Sequence, residues 1–278
     1  MKKSNRDDDI TLPNRFGDEL DKSAGKPFSF DHDNMRTLHF DGRFIQSAMR
    51  ISAPHELLLS YTRAMMAFLL FNPEPRHVIM IGLGGGSLAK YCHRKLPATR
   101  ITVLELDPDV IALRHKFCIP DNDDRFQIIQ ADAVDYLAAM VDKVDIILHD
   151  GFTADGLAPS LSTESFYRCC HGVLDREGVL VSNLWGDAAD LEPVMKRLYA
   201  VFDWRLWWTG ASGSFNRIVF STKNITIAQP ALSKRAMQLD LRHGLSFSDL
   251  ADKLQTAYGK SRADFEAIAA NDMQRDVA

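Results

Sequence analysis

The sequence predicts an α/β protein in which a mainly parallel sheet is covered by helices on both faces. Short apolar and β-branched runs alternate with helical segments after Pro75, as is typical of parallel strands joined by crossover helices. The 278-residue chain is 46% hydrophobic and 25% charged, which is enough apolar sequence for a large core. No sequence unit recurs at a fixed period, which excludes a repeat fold.

The elements of this main domain follow from hydrophobic periodicity and from turn residues. The predicted strands are His77–Ile81, Arg100–Leu104, Phe126–Gln130, Asp145–His149, Val179–Asn183 and Arg217–Ser221. The predicted helices are Ser87–Lys95, Pro108–Phe117, Ala133–Met140, Thr163–Val173 and Ala188–Phe202. Each helix would carry the chain back to the start of the next parallel strand.

Two short regions precede the main domain. Residues 1–35 are polar and lack periodicity, so we expect a flexible arm there. Residues 36–54 are expected to form a small β-hairpin domain, because Asp41-Gly42 is a two-residue turn signal between apolar residues of 37–46.

The main domain is predicted over residues 55–224 and a helical C-terminal extension over 225–278. The main domain begins with an apolar helix, His55–Phe71, which we expect to pack in a core or a dimer interface. The extension contains amphipathic segments near Leu232–Leu241 and Phe247–Tyr258. It would serve as a lid, a packing arm or a dimer element.

Composition and charge exclude several classes of protein. No apolar run is long enough to span a membrane, and the N-terminus lacks a signal peptide, so we expect a cytoplasmic protein. The four cysteines lack CxxC spacing, so we expect neither a disulfide framework nor a metal site. A net charge of −4 disfavours a dedicated nucleic-acid binder and suits a neutral or cationic small substrate.

A glycine cluster lies between the first predicted strand and its helix. In an open α/β sheet, ligands bind beyond the carboxyl ends of the strands. Gly82, Gly84 and Gly85 lack side chains at this position and let the backbone approach a ligand closely. We interpret them as nucleoside-binding residues, with tight packing of strand and helix as the alternative.

Acidic residues stand at the ends of the next two predicted strands. Glu105 can accept hydrogen bonds from both hydroxyls of a ribose, or it is a solvated strand-end acid. Asp107 precedes Pro108 and is interpreted as a helix cap. Asp132 can accept the amino hydrogen of an adenine or cap the next helix, and Ala133 leaves room for the ring.

Two more acids follow the strand that ends at His149. Asp150 and Asp155 lie on a glycine-containing loop that can direct carboxylates into the cleft. His149 is interpreted as a packed or surface histidine, because no second His or Cys stands at ligand spacing. Together with the glycine loop, these acids describe an adenosine pocket. No P-loop lysine follows the loop, so adenosine without phosphates fits best, as in the sulfonium nucleoside S-adenosylmethionine and its decarboxylated form.

Over residues 37–222 the sequence resembles the spermidine synthase family of polyamine aminopropyltransferases. The motifs that carry the resemblance are Gln46 after the hairpin, the glycine loop 82–86, Glu105, Asp132 within Ala-Asp-Ala, and Asp150. The resemblance implies a small N-terminal β-domain before a doubly wound, Rossmann-like domain of methyltransferase type. It also implies a homodimer and decarboxylated S-adenosylmethionine as the co-substrate, with no metal.

The resemblance further implies a role for individual residues. Gln46 and Glu105 would contact the ribose, and Asp132 would contact adenine. Asp150 would be the acid–base residue near the attacking amine of a di- or polyamine. Tyr61 is a candidate for the wall of the substrate pocket, with a half-buried core tyrosine as the alternative.

Two positions depart from the pattern of that family. Gly85 stands where an acid normally holds the aminopropyl ammonium, and Thr153 stands where a second acid normally follows the catalytic one. Asp155 is a possible substitute for that second acid.

Three alternatives therefore stay open. A methyltransferase would use intact S-adenosylmethionine, because Gly85 would leave space for its carboxylate. A non-catalytic nucleoside-binding dimer is the second, and a nicotinamide dehydrogenase is a poorer third, since the full dinucleotide glycine pattern is missing. The tryptophans are interpreted as core or interface residues; they are Trp185, Trp204, Trp207 and Trp208.

Overall fold

The structure is a computed structural model that describes residues 15–225 and 227–256. The strands are β1 Phe28–His32, β2 Met35–His39, β3 Ser47–Arg50, β4 His77–Ile81, β5 Arg100–Glu105, β6 Phe126–Gln130, β7 Val144–His149, β8 Phe152–Thr153, β9 Gly156–Leu157, β10 Leu174–Trp185, β11 Leu206–Gly210, β12 Asn216–Thr222 and β13 Gln255–Thr256. The helices are α1 Arg15–Ser23, α2 Ser60–Met65, α3 Ser87–Lys95, α4 Pro108–Ala112, α5 Ala133–Ala138, α6 Glu164–Val173, α7 Ala188–Phe202, α8 Gln229–His243 and α9 Phe247–Lys253, with 3₁₀ turns at Met66–Leu70 and Pro159–Ser162.

The central sheet has eight strands in the order β13-β11-β12-β10-β7-β4-β5-β6. Strands β10, β7, β4, β5 and β6 are parallel, and β12, β11 and β13 extend the sheet in antiparallel fashion. The chain moves from β4 outward in one direction through β5 and β6, and then in the other through β7 and β10. The carboxyl ends of β4 and β7 therefore lie side by side at the point where strand order reverses, which is where such sheets bind ligands.

Buried apolar strands explain why this sheet lies at the centre of the molecule. Every residue of β4 and of β7 is buried, as expected for strands covered on both faces. One apolar cluster contains α3 and the Met66–Leu70 turn, and the other contains α6 and α7. The predicted α/β sheet with helices on both faces is confirmed.

The predicted strands of the main domain are all present, and the differences are at their ends and at the sheet edge. Strand β10 begins at Leu174, earlier than the predicted Val179. Strand β11 was not predicted, although its tryptophans and Thr209 are residue types enriched in strands. The predicted helix over 108–117 ends at Ala112 and continues as turns.

The small N-terminal sheet has three antiparallel strands, β1-β2-β3, and not the two predicted. Its tight turn is Asp33-Asn34, where both residues have positive φ and reverse the chain between β1 and β2. The predicted turn at Asp41-Gly42 lies in a longer connection, because β3 begins only at Ser47, opposite Leu38. Helix α1 and strand β1 also fall within residues that we expected to form a flexible arm.

The apolar segment predicted as one helix over 55–71 forms α2 and the following 3₁₀ turn. It is part of the core, since Met65 to Leu70 are fully or almost fully buried. Helices α8 and α9 pack on it, and Arg235 donates hydrogen bonds to the carbonyls of Leu70 and Phe71 at 2.6 and 3.0 Å. The described part of the C-terminal extension is therefore a packing arm.

The last predicted helix is shorter than expected. It ends at Lys253, and Gln255–Thr256 then pairs with Trp207 and Trp208 as an edge strand. Residues 257–278, including the predicted helix end at Tyr258, lie outside the described residues. Among the helices that are described, none is both long and apolar enough to cross a lipid bilayer.

Candidate active site

A cavity of about 760 Å³ opens beyond the carboxyl ends of β4, β5, β6, β7 and β10. All of the site residues predicted from the sequence line it; they are Gln46, Tyr61, Gly82, Gly84, Gly85, Glu105, Asp132, Ala133, Asp150 and Asp155. The acids on neighbouring strand ends thus face one shared space. What each residue binds stays a prediction.

The glycine loop is shaped by backbone contact with the end of the neighbouring strand β7. Gly82 has φ +93°, and a Cβ atom there would overlap the backbone carbonyl of Asp150. Gly84 also has positive φ, at +50°. Only glycine adopts the Gly82 conformation without strain and without displacing the end of β7.

Gly85 does not open the space that we expected beside it. A Cβ atom there would lie 2.6 Å from Ser47 Oγ and 3.0 Å from Phe117 Cδ1. The small residue is therefore matched to close packing against β3, and its absent side chain leaves no additional room for a carboxylate.

Glu105 holds the glycine loop as well as facing the cavity. Its Oε2 accepts a hydrogen bond from Leu83 N at 2.8 Å, and its Oε1 accepts one from Asp107 N at 2.9 Å. Burial raises the pKa of this carboxyl, and the backbone hydrogen bonds oppose the rise. Each oxygen keeps acceptor capacity for a ligand hydroxyl.

Asp132 and Asp107 both cap helices. Asp132 Oδ1 accepts a hydrogen bond from Val134 N at 2.7 Å, and Asp107 Oδ1 accepts one from Asp109 N at 2.8 Å. The capping role of each is thus confirmed. Asp132 also lines the cavity, so the cap fixes its carboxyl group at the position from which an adenine contact is possible.

Asp150 lies at the end of β7 within a small polar network. Its Oδ1 accepts a hydrogen bond from Asn183 Nδ2 at 2.8 Å, and the Tyr61 hydroxyl is a second hydrogen-bond partner. Burial raises the pKa of Asp150 to about 6, while both hydrogen bonds act in the opposite direction. A carboxylate with this pKa is a better proton acceptor than a solvated one.

Asn183 and Asn216 were not predicted as site residues. Asn216 Nδ2 donates to Asn183 Oδ1 at 2.8 Å, so the two amides form a chain that ends on Asp150. Ser214 Oγ contacts Asn216 in turn. Sequence alone offered one signal: Asn183 ends a predicted strand, and Glu105 and Asp150 each follow one directly.

Asp155 is engaged by a cation from another segment. Its Oδ1 lies 2.9 Å from Arg43 Nη2, and Arg43 Nε lies 2.6 Å from Asp41 Oδ2. Thr153, the position at which the resemblance implies an acid, donates from its hydroxyl to the Gly156 carbonyl at 3.2 Å. The second acid that would hold an amine is therefore already paired in this structure.

His149 is a packed residue, as predicted. It is fully buried, its ring lies 5.3 Å from that of Phe166, and burial lowers its pKa to about 4. Within residues 15–225 and 227–256, no three His, Cys, Asp or Glu side chains are grouped to hold a metal ion.

Of the four tryptophans, Trp185 is the one that does not lie in the core. Trp207 and Trp208 are buried, and Trp204 packs against the core. Trp185, however, is 39% exposed and lines the cavity.

Comparison with known proteins identifies the family. The model of the spermine/spermidine synthase domain matches residues 58–196. The chain is also 37% identical over 225 residues to the polyamine aminopropyltransferase of Chromobacterium violaceum, covering 80% of this chain and 86% of the relative. The chain belongs to the spermine/spermidine synthase family. The resemblance seen in the sequence and the expectation of a transferase are confirmed.

Solved structures place this family member among methyltransferase-type folds. A spermidine synthase in complex with the transition state analogue AdoDATO is similar with a TM-score of 0.60 and 20% identity, covering 78% of each chain. Human methyltransferase-like protein 13 in complex with SAH is similar with a TM-score of 0.60 and 25% identity, covering 74% of this chain and 99% of that one. The predicted Rossmann-like fold of methyltransferase type is confirmed.

Proposed function

We propose that this protein transfers the aminopropyl group of decarboxylated S-adenosylmethionine to a di- or polyamine, with Asp150 as the base. The observation that carries the proposal is the shared cavity that Glu105, Asp132 and Asp150 line beside the glycine loop. The identity of 37% to a polyamine aminopropyltransferase supports the choice of reaction.

The nucleoside would bind on the glycine-loop side of the cavity. Gln46 and Glu105 would accept hydrogen bonds from the ribose hydroxyls, and Asp132 would accept one from the adenine amino group. Gly82, Gly84 and Gly85 would lie against the nucleoside, and Ala133 would leave space for the base. Because these acceptors belong to rigid strand ends, the reacting carbon would be held in one orientation.

The acceptor amine would bind beside Asp150. A primary amine has a reference pKa of about 10.4, so it arrives protonated and cannot attack until a proton leaves. Asp150 would attract the ammonium and accept its proton, and the Tyr61 hydroxyl beside it would form part of the pocket wall. Asp155 would contact the substrate only after exchanging its ion pair with Arg43.

The chemical step would be a displacement at the carbon attached to sulfur. The amine nitrogen forms a bond to that carbon, the carbon–sulfur bond breaks, and its electron pair returns to the sulfonium sulfur. The leaving group is a neutral thioether nucleoside. Positive charge on sulfur is cancelled during attack, so catalysis depends on alignment and on proton removal.

A methyltransferase that uses intact S-adenosylmethionine is the second candidate. The similarity to a methyltransferase-like protein that holds SAH favours it. One argument for a methyltransferase was that Gly85 leaves space for the carboxylate of S-adenosylmethionine. Gly85 packs closely against Ser47, so no such space is gained there. A cytoplasmic homodimer remains the proposed state of the protein in either case.

The experiment is to supply each nucleoside with a panel of di- and polyamines and to identify products by mass spectrometry. An aminopropylated amine formed only from the decarboxylated nucleoside is the expected result. A methylated amine formed from intact S-adenosylmethionine, with no aminopropyl product, would replace the first proposal by the second. Calorimetry with each nucleoside alone gives the preference independently of turnover.

A further inference from the structure

We propose that Phe44 and Trp185 form a cation-binding subsite for the far end of the acceptor. The subsite selects amines whose second nitrogen is an alkyl-substituted ammonium. This inference rests on the proposed function, because it assigns the acceptor class of the same cavity.

The two aromatic side chains meet at the opening of the cavity. Their ring centroids are 5.6 Å apart, with an interplanar angle of 66°. Phe44 is 45% exposed and Trp185 is 39% exposed, although both line the cavity. Exposed aromatic faces beside a cavity are unusual unless they contact a ligand or a partner.

Strand geometry places Trp185 at a useful separation from the proposed base. Asn183, which hydrogen-bonds Asp150, lies two residues before Trp185 on β10. Alternate residues of a strand face the same side, and two residues advance the chain by about 7 Å. Trp185 therefore lies within reach of the chain of an acceptor whose reacting nitrogen is at Asp150.

The carboxylates near this opening are poorly placed to take a second ammonium. Asp155 is paired with Arg43, and Arg43 is also paired with Asp41. Thr153 is uncharged, and its hydroxyl donates to Gly156 O. The charge of Arg43 is balanced by these two acids, so it does not prevent a second cation from approaching the rings.

Aromatic faces attract cations through the ring quadrupole, and Trp is the strongest of the natural rings. A bare primary ammonium is strongly hydrated and loses water at such a site, whereas substituted ammonium groups lose less. The aromatic pair therefore favours acceptors with a substituted second nitrogen over simple diamines.

The test uses 1,4-diaminobutane, its N,N,N-trimethylated form and the neutral tert-butyl analogue of that form. The last two have one primary amine each, and the kcat/KM of the diamine is halved because it has two. The wild-type enzyme is expected to have a higher kcat/KM for the trimethylammonium acceptor than for the other two. Trp185→Leu and Phe44→Leu should each lower that value about tenfold and change the value for the neutral analogue less than about twofold. Trp185→Phe, which keeps an aromatic face, should retain most of the preference.

Leu241→Ala is the matched control, because Leu241 is 92% exposed and does not line the cavity. Equal losses for the charged and neutral acceptors in Trp185→Leu would overturn the cation site and leave a merely apolar contact. Unchanged kcat/KM in both leucine variants would overturn the subsite while leaving aminopropyl transfer intact.

Direct binding separates this proposal from the proposed function. The trimethylammonium amine alone is titrated into the wild-type protein and into Trp185→Phe, Trp185→Leu and Trp204→Phe, and its affinity is measured by calorimetry. Binding that is weakened about tenfold only by Trp185→Leu supports the subsite even if no aminopropyl product forms. Binding that Trp185→Leu does not weaken overturns it.

Discussion

The nucleoside side and the acceptor side of the cavity are built in different ways. On the nucleoside side, Glu105 and Asp132 accept hydrogen bonds from backbone N–H groups. Those of Asp107 and Val134 lie in their own strand–helix turns, and that of Leu83 lies in the glycine loop. On the acceptor side, Asp150 is held by the side chains of Asn183 and Tyr61, which come from distant segments. The first half depends on backbone donors and the second on side-chain partners from other segments of the chain.

This difference bears on one of the two positions at which the chain departs from the expected family pattern, Thr153. Backbone hydrogen bonds to Glu105 require few particular neighbours, so that half tolerates changes elsewhere. The acceptor half carries Thr153 and the Arg43–Asp155 pair at positions where a second free acid is expected. Gly85, the other departure, lies on the nucleoside side, so acceptor choice is one of two properties in which we expect this chain to differ.

The largest effect is expected for Asp150→Asn, which removes the proposed base while keeping a similar shape. We expect kcat to fall by about 10²- to 10⁴-fold, because the amide cannot accept the ammonium proton. Nucleoside affinity, measured by calorimetry, should change little. At pH 7 the variant should be at least as stable as wild type. Burial raises the pKa of Asp150 to about 6, so its ionisation at pH 7 destabilises the folded state, and asparagine does not ionise. An unchanged transfer rate would remove Asp150 from the mechanism.

The second-largest effect is expected for a substitution in the glycine loop, on the nucleoside side of the cavity. Gly82→Ala places a methyl group against the Asp150 carbonyl at φ +93°, so we expect a loss of about 2 kcal/mol in unfolding free energy. Urea unfolding and nucleoside calorimetry measure the two consequences, and nucleoside binding should weaken in parallel.

Gly172→Ala is the matched control for that substitution. Gly172 lies in α6, and a Cβ atom there would meet nothing within 4 Å. The unfolding free energy of the Gly172→Ala variant should stay within about 1 kcal/mol of that of wild type. Equal behaviour of Gly82→Ala and Gly172→Ala would show that the loop is not constrained by the end of β7.

The pH profile sharpens the contrast between the two halves. For the free enzyme, kcat/KM should decrease on the acid side with an apparent pKa near the value of about 6 that burial gives Asp150. Asn183→Leu removes a donor to the carboxylate, so the pKa should rise and the acid limb should move to higher pH. The rate at pH 6 should fall about fivefold, with a smaller change at pH 8.

A purely structural role of Asn183 would lower the rate by the same factor at every pH. Glu105→Gln provides the comparison from the nucleoside half. It should weaken nucleoside binding without moving the acid limb, because Glu105 hydrogen-bonds Leu83 and Asp107, not Asp150.

The smallest effect is expected for Asp155→Asn. The carboxylate is 86% exposed and paired with Arg43, and exposed ion pairs contribute about 0 to 1 kcal/mol. We expect less than a threefold change in acceptor KM at moderate salt. Arg43→Ala frees the acid and should lower KM for simple diamines. A large increase of KM in Asp155→Asn would show that the acid binds the acceptor in place of Arg43.

The sequence predicted the central sheet well because its strands are short buried runs between strong helix signals. Strand β4 and helix α7 have the predicted bounds. The N-terminal sheet was predicted less well, since Asp33-Asn34 and Asp41-Gly42 are both plausible turns and only the pairing of three strands decides between them. Strand β13 forms by pairing with β11 at the sheet edge, and the local sequence of Gln255–Thr256 gives no sign of that pairing.

The candidate site shows the same division. Glu105, Asp132 and Asp150 were predictable because each lies one or two residues after a predicted strand. The pairing of Asp155 with Arg43 joins residues that are far apart in the chain, and the Asn216–Asn183 chain requires the antiparallel β10–β12 register. Such contacts exist only once the fold is formed.

The hydrogen bonds that join three neighbouring strand ends have an evolutionary consequence. Asp150 N donates to Ile81 O, and Gly82 N donates to Leu104 O, both at 2.9 Å, so this framework needs no particular side chain at the rim. Mutations around the opening can therefore change which amine binds while the donor nucleoside keeps its binding position. An ancestral scaffold of this kind is free to diversify its products by altering a few peripheral positions.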